Sequence, residues 1–347
     1  MVATEEFLTL GEIRRAARRN LAPEVYDYMS GGAETETTLR RNKRAMSHYA
    51  FQPRVLRDVS QIDITTTFLG WPLALPIMIA PMGGTHRAHP DGTVALTRAA
   101  GQVGTISWMS TMTQHSPEDV AAVATTPPVY QLYFRGDNAW GEALIRRVEE
   151  AGFKALCLTV DSAEYGRRER DIERRYNVRD HKRAVEVPDD HTRQASLTWK
   201  DVEWLQRTTK LPLILKGIQH PEDARLAVEH GVPVVYISNH GGRQLDHAPA
   251  TIEVLSEIVD AVGGRAEVVI DSGFQRGTDV LKALALGARA VLIGKAAAWG
   301  LGAGGDEGVA RTFELLALEL RIAMANTGVA SLRELSPALV RRVCDCS

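Results

Sequence analysis

EVVIDSGFQRGTDVLKALALGARAVLIGK, residues 267–295, decides the fold. An apolar run passes through Asp271, Ser272 and Gly273 into a helix-like stretch, then returns to a second apolar run that ends in Gly294 and Lys295. Val268 to Ile270 and Ala290 to Ile293 are apolar on consecutive positions, the pattern of strands buried on both faces of a parallel sheet. Working outward, six earlier runs share it: PIMIAPM at 76–82, GTISWMS at 104–110, VYQLYF at 129–134, ALCLTVD at 155–161, LPLILKG at 211–217 and VVYISNH at 234–240. Helix-like segments such as PEDARLAVEHG separate them. Eight strand-helix units predict the α/β class and a (β/α)8 TIM barrel.

The runs start about 25 residues apart, except after the fourth, where roughly 50 intervene. A barrel of this kind needs about 250 residues, so 347 leaves room for additions to one domain spanning 1–347. One is an N-terminal extension, 1–70, with helices expected at Leu10 to Asn20 and Pro23 to Met29. The other, 165–198, is dense in Arg, Asp and Glu and reads as a lid-like loop after the fourth strand. A doubly wound open sheet would show the same alternation, but no G-x-G-x-x-G follows the first run and no G-x-x-x-x-G-K-[ST] occurs. The glycine cluster GAGGDEG at 302–308 follows the last run and reads as a loop.

A 44% hydrophobic, 24% charged composition excludes a disordered chain. With Lys plus Arg at 41 and Asp plus Glu at 43, the net charge of -2 gives no electrostatic reason to expect nucleic acid as partner. Apolar runs such as Leu73 to Met82 fall short of the roughly 20 residues of a membrane span. The start, MVATEEFLTLGEIRR, lacks the apolar core of a secretion signal. Three cysteines, Cys157, Cys344 and Cys346, lack the spacing of a zinc site, so no metal is expected and a reducing cytoplasm fits.

In such a barrel the chemistry sits at the C-terminal strand ends. Those ends are polar here: Ser110; Gln131 and Tyr133; Thr159 and Asp161; Lys216; SNHGGRQLD from Ser238 to Asp246; Asp271, Ser272 and Gly273; Gly294 and Lys295. A lone histidine is usually structural, but His240 ends the sixth run, two glycines let the chain turn beyond it, and Arg243 follows. Asp161 is placed to orient its imidazole, the arrangement of a general base near neutral pH. Arg243 and Arg168 offer guanidinium forks that match a carboxylate, although most of GRRERDIERR reads as a solvated face. Glycine beside a polar or basic residue at the last two strand ends suits a phosphate. Lys216 reads either as a fixed charge beside an anionic cofactor or as half of a buried salt bridge.

VYDYMSGGAE, LPIMIAP, QLY, LTVD with GRR, LILKG, SNHGGRQLD, DSGFQRGTDVLKALALGA and IGK resemble, in order from about Leu10 to about Leu335, the FMN-dependent 2-hydroxy-acid oxidase and dehydrogenase family, which includes glycolate oxidase, lactate oxidase and mandelate dehydrogenase. SNHGGRQLD is the most specific of these. The resemblance implies oxidation of an L-2-hydroxy acid to the 2-oxo acid, with His240 as base paired with Asp161. It implies that Arg243, Arg168 and Tyr26 hold the carboxylate and that Tyr133 contacts the substrate. FMN would be held by Ser110, Gln131, Thr159 and Lys216 around the ring, and by Asp271, Gly273, Gly294 and Lys295 toward ribityl and phosphate. A homo-oligomer, a tetramer, is implied as well.

Whether the α-hydrogen leaves as a proton or as a hydride, the same residues are required. Oxygen, a quinone or a protein remain open as the final electron acceptor. The family usually has arginine at positions 275 and 295, where Gln275 and Lys295 stand. Met82, Gly83 and Met112 also depart from it and point to a substrate bulkier than glycolate. A redox-neutral FMN barrel of isomerase type and a non-catalytic flavin-binding barrel are the alternatives, and the intact set of His240, Asp161 and Arg243 argues against both.

Overall fold

The computed structural model describes residues 7–176 and 191–343. Cys344, Cys346 and positions 177–190 of the long loop lie outside the described residues. Each of the eight apolar runs forms a strand: β1 (Ile77–Ile79), β2 (Trp108–Ser110), β3 (Val129–Leu132), β4 (Ala155–Thr159), β5 (Leu213–Ile218), β6 (Val234–Ile237), β7 (Glu267–Ile270) and β8 (Ala290–Ile293). All pair in parallel with their neighbours, and β8 returns to β1. The Ile79 amide donates to the Ile106 carbonyl at 2.9 Å beside a parallel bridge from Ile79 to Ser107, which brings β1 to β2 and closes the TIM barrel.

The unbroken apolarity of the runs has a geometric cause. Successive strand side chains point to opposite faces, and here each face has its own core. Met78, Trp108, Cys157, Ile214, Tyr236, Val269 and Leu292 belong to a core inside the ring, together with Phe68 and Leu73. Ile77, Ile79, Met109, Leu156, Leu158, Val235, Ile270 and Ile293 belong to the core shared with the surrounding helices. Phe68 and Leu73 come from an antiparallel hairpin, Thr66–Phe68 with Trp71–Leu73, and Phe68 continues an aromatic stack through Trp108 to Tyr236 at centroid distances of 5.8 and 5.3 Å. Cys157 lies in that interior, where burial pushes its thiol well above the usual range.

The extension contains α1 (Leu10–Asn20), α2 (Pro23–Ser30) and α3 (Thr37–Arg44), followed by a strand, Tyr49–Phe51, that pairs antiparallel with Val340–Arg342. A capping box starts α1: the Thr9 hydroxyl accepts from the Glu12 amide at 3.2 Å, and the Glu12 carboxylate accepts from the Thr9 amide at 3.1 Å. Ile13, Ala16 and Ala17 make its buried face, and α1 packs against the last helix.

The glycine cluster at 302–308 is not a loop. It lies within Lys295–Thr327, two helical segments joined at a kink where Gly304 has φ -169 and Gly305 φ 62. These glycines serve close packing: a Cβ on Gly302 would sit 2.7 Å from a Leu21 methyl, and one on Gly308 2.3 Å from the Gly300 carbonyl. The beginning of the long loop is also tied down. It forms a short helix, Glu169–Glu173, against α2, where Arg170 and Arg174 pair with Asp27.

Ile13 is 1% exposed, so Ile13→Ala is expected to cost about 2–5 kcal/mol through lost burial and the cavity left behind. Leu8, 72% exposed, should change stability by no more than about 0.5 kcal/mol as Leu8→Ala. Urea midpoints for both variants check this contrast.

Candidate functional site

Beyond β6 the chain runs Ser238, Asn239, His240, and His240 takes φ 58, the left-handed region. This turn carries the imidazole over the C-terminal mouth. Its Nδ1 lies 3.0 Å from Asp161 Oδ1, and its Nε2 lies 3.1 Å from the Tyr133 hydroxyl. An ionised carboxylate only accepts, so Nδ1 carries the proton and the Nε2 lone pair faces Tyr133. Burial raises the Asp161 carboxyl, but Lys216 and then His240 outweigh it and hold the group below its ordinary value. Burial, reinforced by Lys216 and opposed by Asp161, pushes the imidazole below 6.5. His240 is therefore neutral at pH 7. Burial and the neighbouring Asp161 raise the Tyr133 hydroxyl, which keeps its proton and donates.

Lys216 sits 3.0 Å from the Ser238 hydroxyl and 3.9 Å from Asp161 Oδ2, so both readings of this lysine meet at one place: it is half of a buried ion pair and it lines the cavity. Arg243 donates to the carbonyl of Tyr28 and, at 3.2 Å, to that of Gly31, and its guanidinium lies 4.9 Å from the Tyr28 ring centre. Arg168 donates to the Tyr165 hydroxyl and reaches the Arg243 carbonyl and Gln244 Oε1, each at 3.4 Å. Burial, and after it the Arg168 charge, lowers Arg243; burial, and after it the charges of Arg243 and Arg168, lowers Lys295 strongly.

These groups surround a cleft of about 950 Å³, counting its open mouth. Of the expected site residues, Lys216, His240, Arg243, Asp271, Gly273, Gly294 and Lys295 line it. Asp161, Tyr133 and Arg168 adjoin this lining, the first two bonded to His240 and the third to the Arg243 carbonyl. Ser110, Gln131 and Thr159 form a buried relay across the ends of β2, β3 and β4: Ser110 Oγ bonds Gln131 Oε1 at 2.6 Å, and Gln131 Nε2 donates to Thr159 Oγ1 at 2.7 Å.

Tyr26 is not in the site. Its hydroxyl accepts from Arg14 Nε at 3.1 Å, whereas Tyr28 lines the cavity. Residues two apart on a helix point to different sides, so only one tyrosine of VYDYM faces the barrel, and spacing alone does not say which. Asp246, the last residue of SNHGGRQLD, holds α3 in place: its carboxylate accepts the Thr38 amide at 2.7 Å and the Thr37 amide at 3.2 Å. Asn42 and Asn239 exchange side-chain amide bonds at 2.9 and 2.7 Å, tying α3 to the His240 turn. Gly273, at φ 95, is required there by Asn42, whose carbonyl would lie 2.5 Å from a Cβ. Nothing in the local sequence marked these contacts, because each joins segments about 200 residues apart.

The charge balance identifies what the cleft accepts. Lys216, Arg243 and Lys295 line it with Arg168 close behind. Asp161 is engaged by His240 and Lys216, and Asp271 by Tyr236 and Ser272. Desolvated cations with their nearest carboxylates already engaged favour anions. A flavin mononucleotide phosphate and a substrate carboxylate both fit this donor set.

The FMN-dependent dehydrogenase family model matches residues 17–342. The chain is 43% identical over 352 residues to glycolate oxidase 3 of Arabidopsis thaliana, covering 95% of each. It is 45% identical over 341 residues to a peroxisomal (S)-2-hydroxy-acid oxidase of Oryza sativa subsp. japonica, covering 94% of this chain and 93% of the relative. The crystal structure of a mandelate oxidase with 3,3-difluoro-2-hydroxy-3-phenylpropionic acid superposes with TM-score 0.91 at 39% identity, covering 97% of this chain and 100% of that one. An FMN-binding barrel enzyme is thus the class defined by fold and site. The chain belongs to the FMN-dependent dehydrogenase family, and its cofactor is FMN.

Removing the hydroxyl in Tyr28→Phe should raise KM for a 2-hydroxy acid roughly ten-fold, the scale of one lost hydrogen bond. Tyr26→Phe should leave KM within about two-fold, since its hydroxyl serves Arg14. Steady-state kinetics of the two variants separate the tyrosines.

Proposed function

We propose that His240 is the base in the FMN-dependent oxidation of a 2-hydroxy acid to the 2-oxo acid. The observation that carries this reading is the two-sided hold on the imidazole: Asp161 at 3.0 Å from Nδ1 and Tyr133 at 3.1 Å from Nε2, at the edge of a cleft whose cations favour a carboxylate. Arg243, backed by Arg168, holds that carboxylate, with Tyr28 taking the place first assigned to Tyr26. Tyr133 orients the substrate hydroxyl toward Nε2, which takes a proton, and Asp161 stabilises the imidazolium that results. Lys216, Asp271, Gly273, Gly294 and Lys295 hold FMN, with Ser110, Gln131 and Thr159 beside them. FMN, when bound, supplies the two-electron acceptor. The chain works as one FMN-binding unit, and the start of the lid-like loop reaches its mouth, where the Gly166 amide bonds Gln244 and Arg168 the Arg243 carbonyl.

A substrate side chain larger than hydrogen is favoured. Met82 and Gly83 line the cleft, and the mandelate oxidase likeness supports an aromatic or long aliphatic group. Met112 contributes differently from expectation: a Cβ on Gly83 would lie 2.9 Å from Met112 Cβ and 3.0 Å from its carbonyl, so the glycine makes room for Met112 as well as for substrate. A cytoplasmic homo-oligomer, a tetramer, completes the reading. It is supported by the unpaired, buried Cys157 and by Leu318 and Ile322, which are exposed one turn apart on the last helix. Among the described residues, no helix is long and apolar enough to cross a membrane. The rice relative, by its name, is peroxisomal.

His240→Ala should retain FMN and slow anaerobic flavin reduction by roughly 100-fold or more. The base works unprotonated and its folded-state pKa lies below 6.5. Hence kcat/KM should be level above that pH and fall as the imidazole protonates below it. Asp161→Asn removes the influence that raises the imidazole and should move the acid limb lower. An acid limb centred above 6.5, or wild-type reduction by His240→Ala, overturns the assignment.

Comparing kcat/KM for glycolate, L-lactate, a longer aliphatic 2-hydroxy acid and mandelate tests the substrate reading. Glycolate is expected to be the poorest, and a preference for glycolate would refute the bulky-substrate reading alone.

A further inference from the structure

We propose that Ser272 and Lys295 are positioning residues of the reaction: together they fix Gly241 by its amide and its carbonyl, and through it the left-handed backbone that aims His240. The inference rests on His240 being the base. A non-glycine residue at φ 58 keeps that conformation only where its surroundings over-determine it. The following residue, Gly241, is held on both sides, through its amide and through its carbonyl. The Gly241 amide donates to Ser272 Oγ at 2.9 Å, and the Gly241 carbonyl accepts from Lys295 Nζ at 3.0 Å. Gly241 itself stands at φ 67, which glycine adopts without strain, and a Cβ there would lie 3.1 Å from that ammonium.

The serine hydroxyl has a fixed direction. It gives its proton to Asp271 Oδ1 at 2.7 Å, and Asp271 Oδ2 accepts from the Tyr236 hydroxyl at 2.8 Å. A carboxylate can only accept, so the hydroxyl proton is committed and its lone pair points at the Gly241 amide. Ser272 itself stands at φ 76, a conformation that glycine would adopt without strain. A serine is therefore kept at a glycine-favouring position whose hydroxyl bridges the ends of β6 and β7. Lys295, just beyond β8, has further donors for the cleft, so one side chain touches both the cofactor cavity and the loop of the base.

Ser272→Gly separates positioning from folding, because it removes the hydroxyl while relieving the left-handed backbone. We expect this variant to be at least as heat-stable as Ser272→Ala, with FMN affinity, measured by flavin fluorescence, within about two-fold of wild type. Binding of a 2-oxo acid should change by less than about three-fold, while anaerobic flavin reduction slows by about ten-fold or more, the scale of a misaimed catalytic group. Lys295→Met should weaken FMN binding and also slow reduction at saturating FMN. Wild-type reduction in Ser272→Gly overturns the proposal. So does a Ser272→Gly protein that misfolds or sheds its flavin, since the hydroxyl is then structural. His240→Ala is measured in parallel: if it reduces flavin normally, the base assignment fails first; if it is slow and Ser272→Gly is not, only the clamp fails.

Discussion

Burial of the strands on both faces is the constraint on which the rest of this protein depends. β1 to β8 contribute alternate side chains to a core inside the ring and to a second core under the helices, so a charged group along their length is costly unless it is paired. Lys216 marks the limit: it stands inside β5 only because the Ser238 hydroxyl and Asp161 receive its ammonium. Polar chemistry is thereby concentrated beyond the C-terminal ends, and one rim of the barrel collects groups from seven strands. The paired Asp161 and His240 come from the ends of β4 and β6, and Tyr133 follows β3; the parallel order of β3 to β6 in the curved sheet, not nearness in sequence, makes them neighbours.

The rim carries an excess of positive charge held out of water. Burial and then the Arg168 charge lower Arg243, burial and then the Arg243 and Arg168 charges lower Lys295, and the nearby carboxylates are engaged by other partners. Such an arrangement is costly in isolation and is relieved by anions, which links the fold to an enzyme that takes a phosphate-bearing cofactor and a carboxylate-bearing substrate into one cleft. Lysine and glutamine at 295 and 275 alter how that charge is presented. An ammonium is a point charge with three donors rather than a planar fork, and Lys295 directs one of them to the Gly241 carbonyl.

Reading the chain by itself determined the barrel, because consecutive apolar runs at regular spacing have few other solutions, and it located the rim, because polar residues at strand ends are visible in one dimension. His240, Asp161 and Arg243 were legible for that reason, helped by the specificity of SNHGGRQLD. Tertiary structure decided matters that depend on which side of an element faces inward or on contacts between distant segments. Tyr28 rather than Tyr26 reaches the cleft because of the rotation of α2 against the barrel. Asp246 holds α3, Gly83 accommodates Met112, and the glycines at 302–308 pack helices instead of making a loop. A periodic pattern records how often a side chain is buried, whereas its partner is set by the three-dimensional packing of segments that the pattern treats as independent.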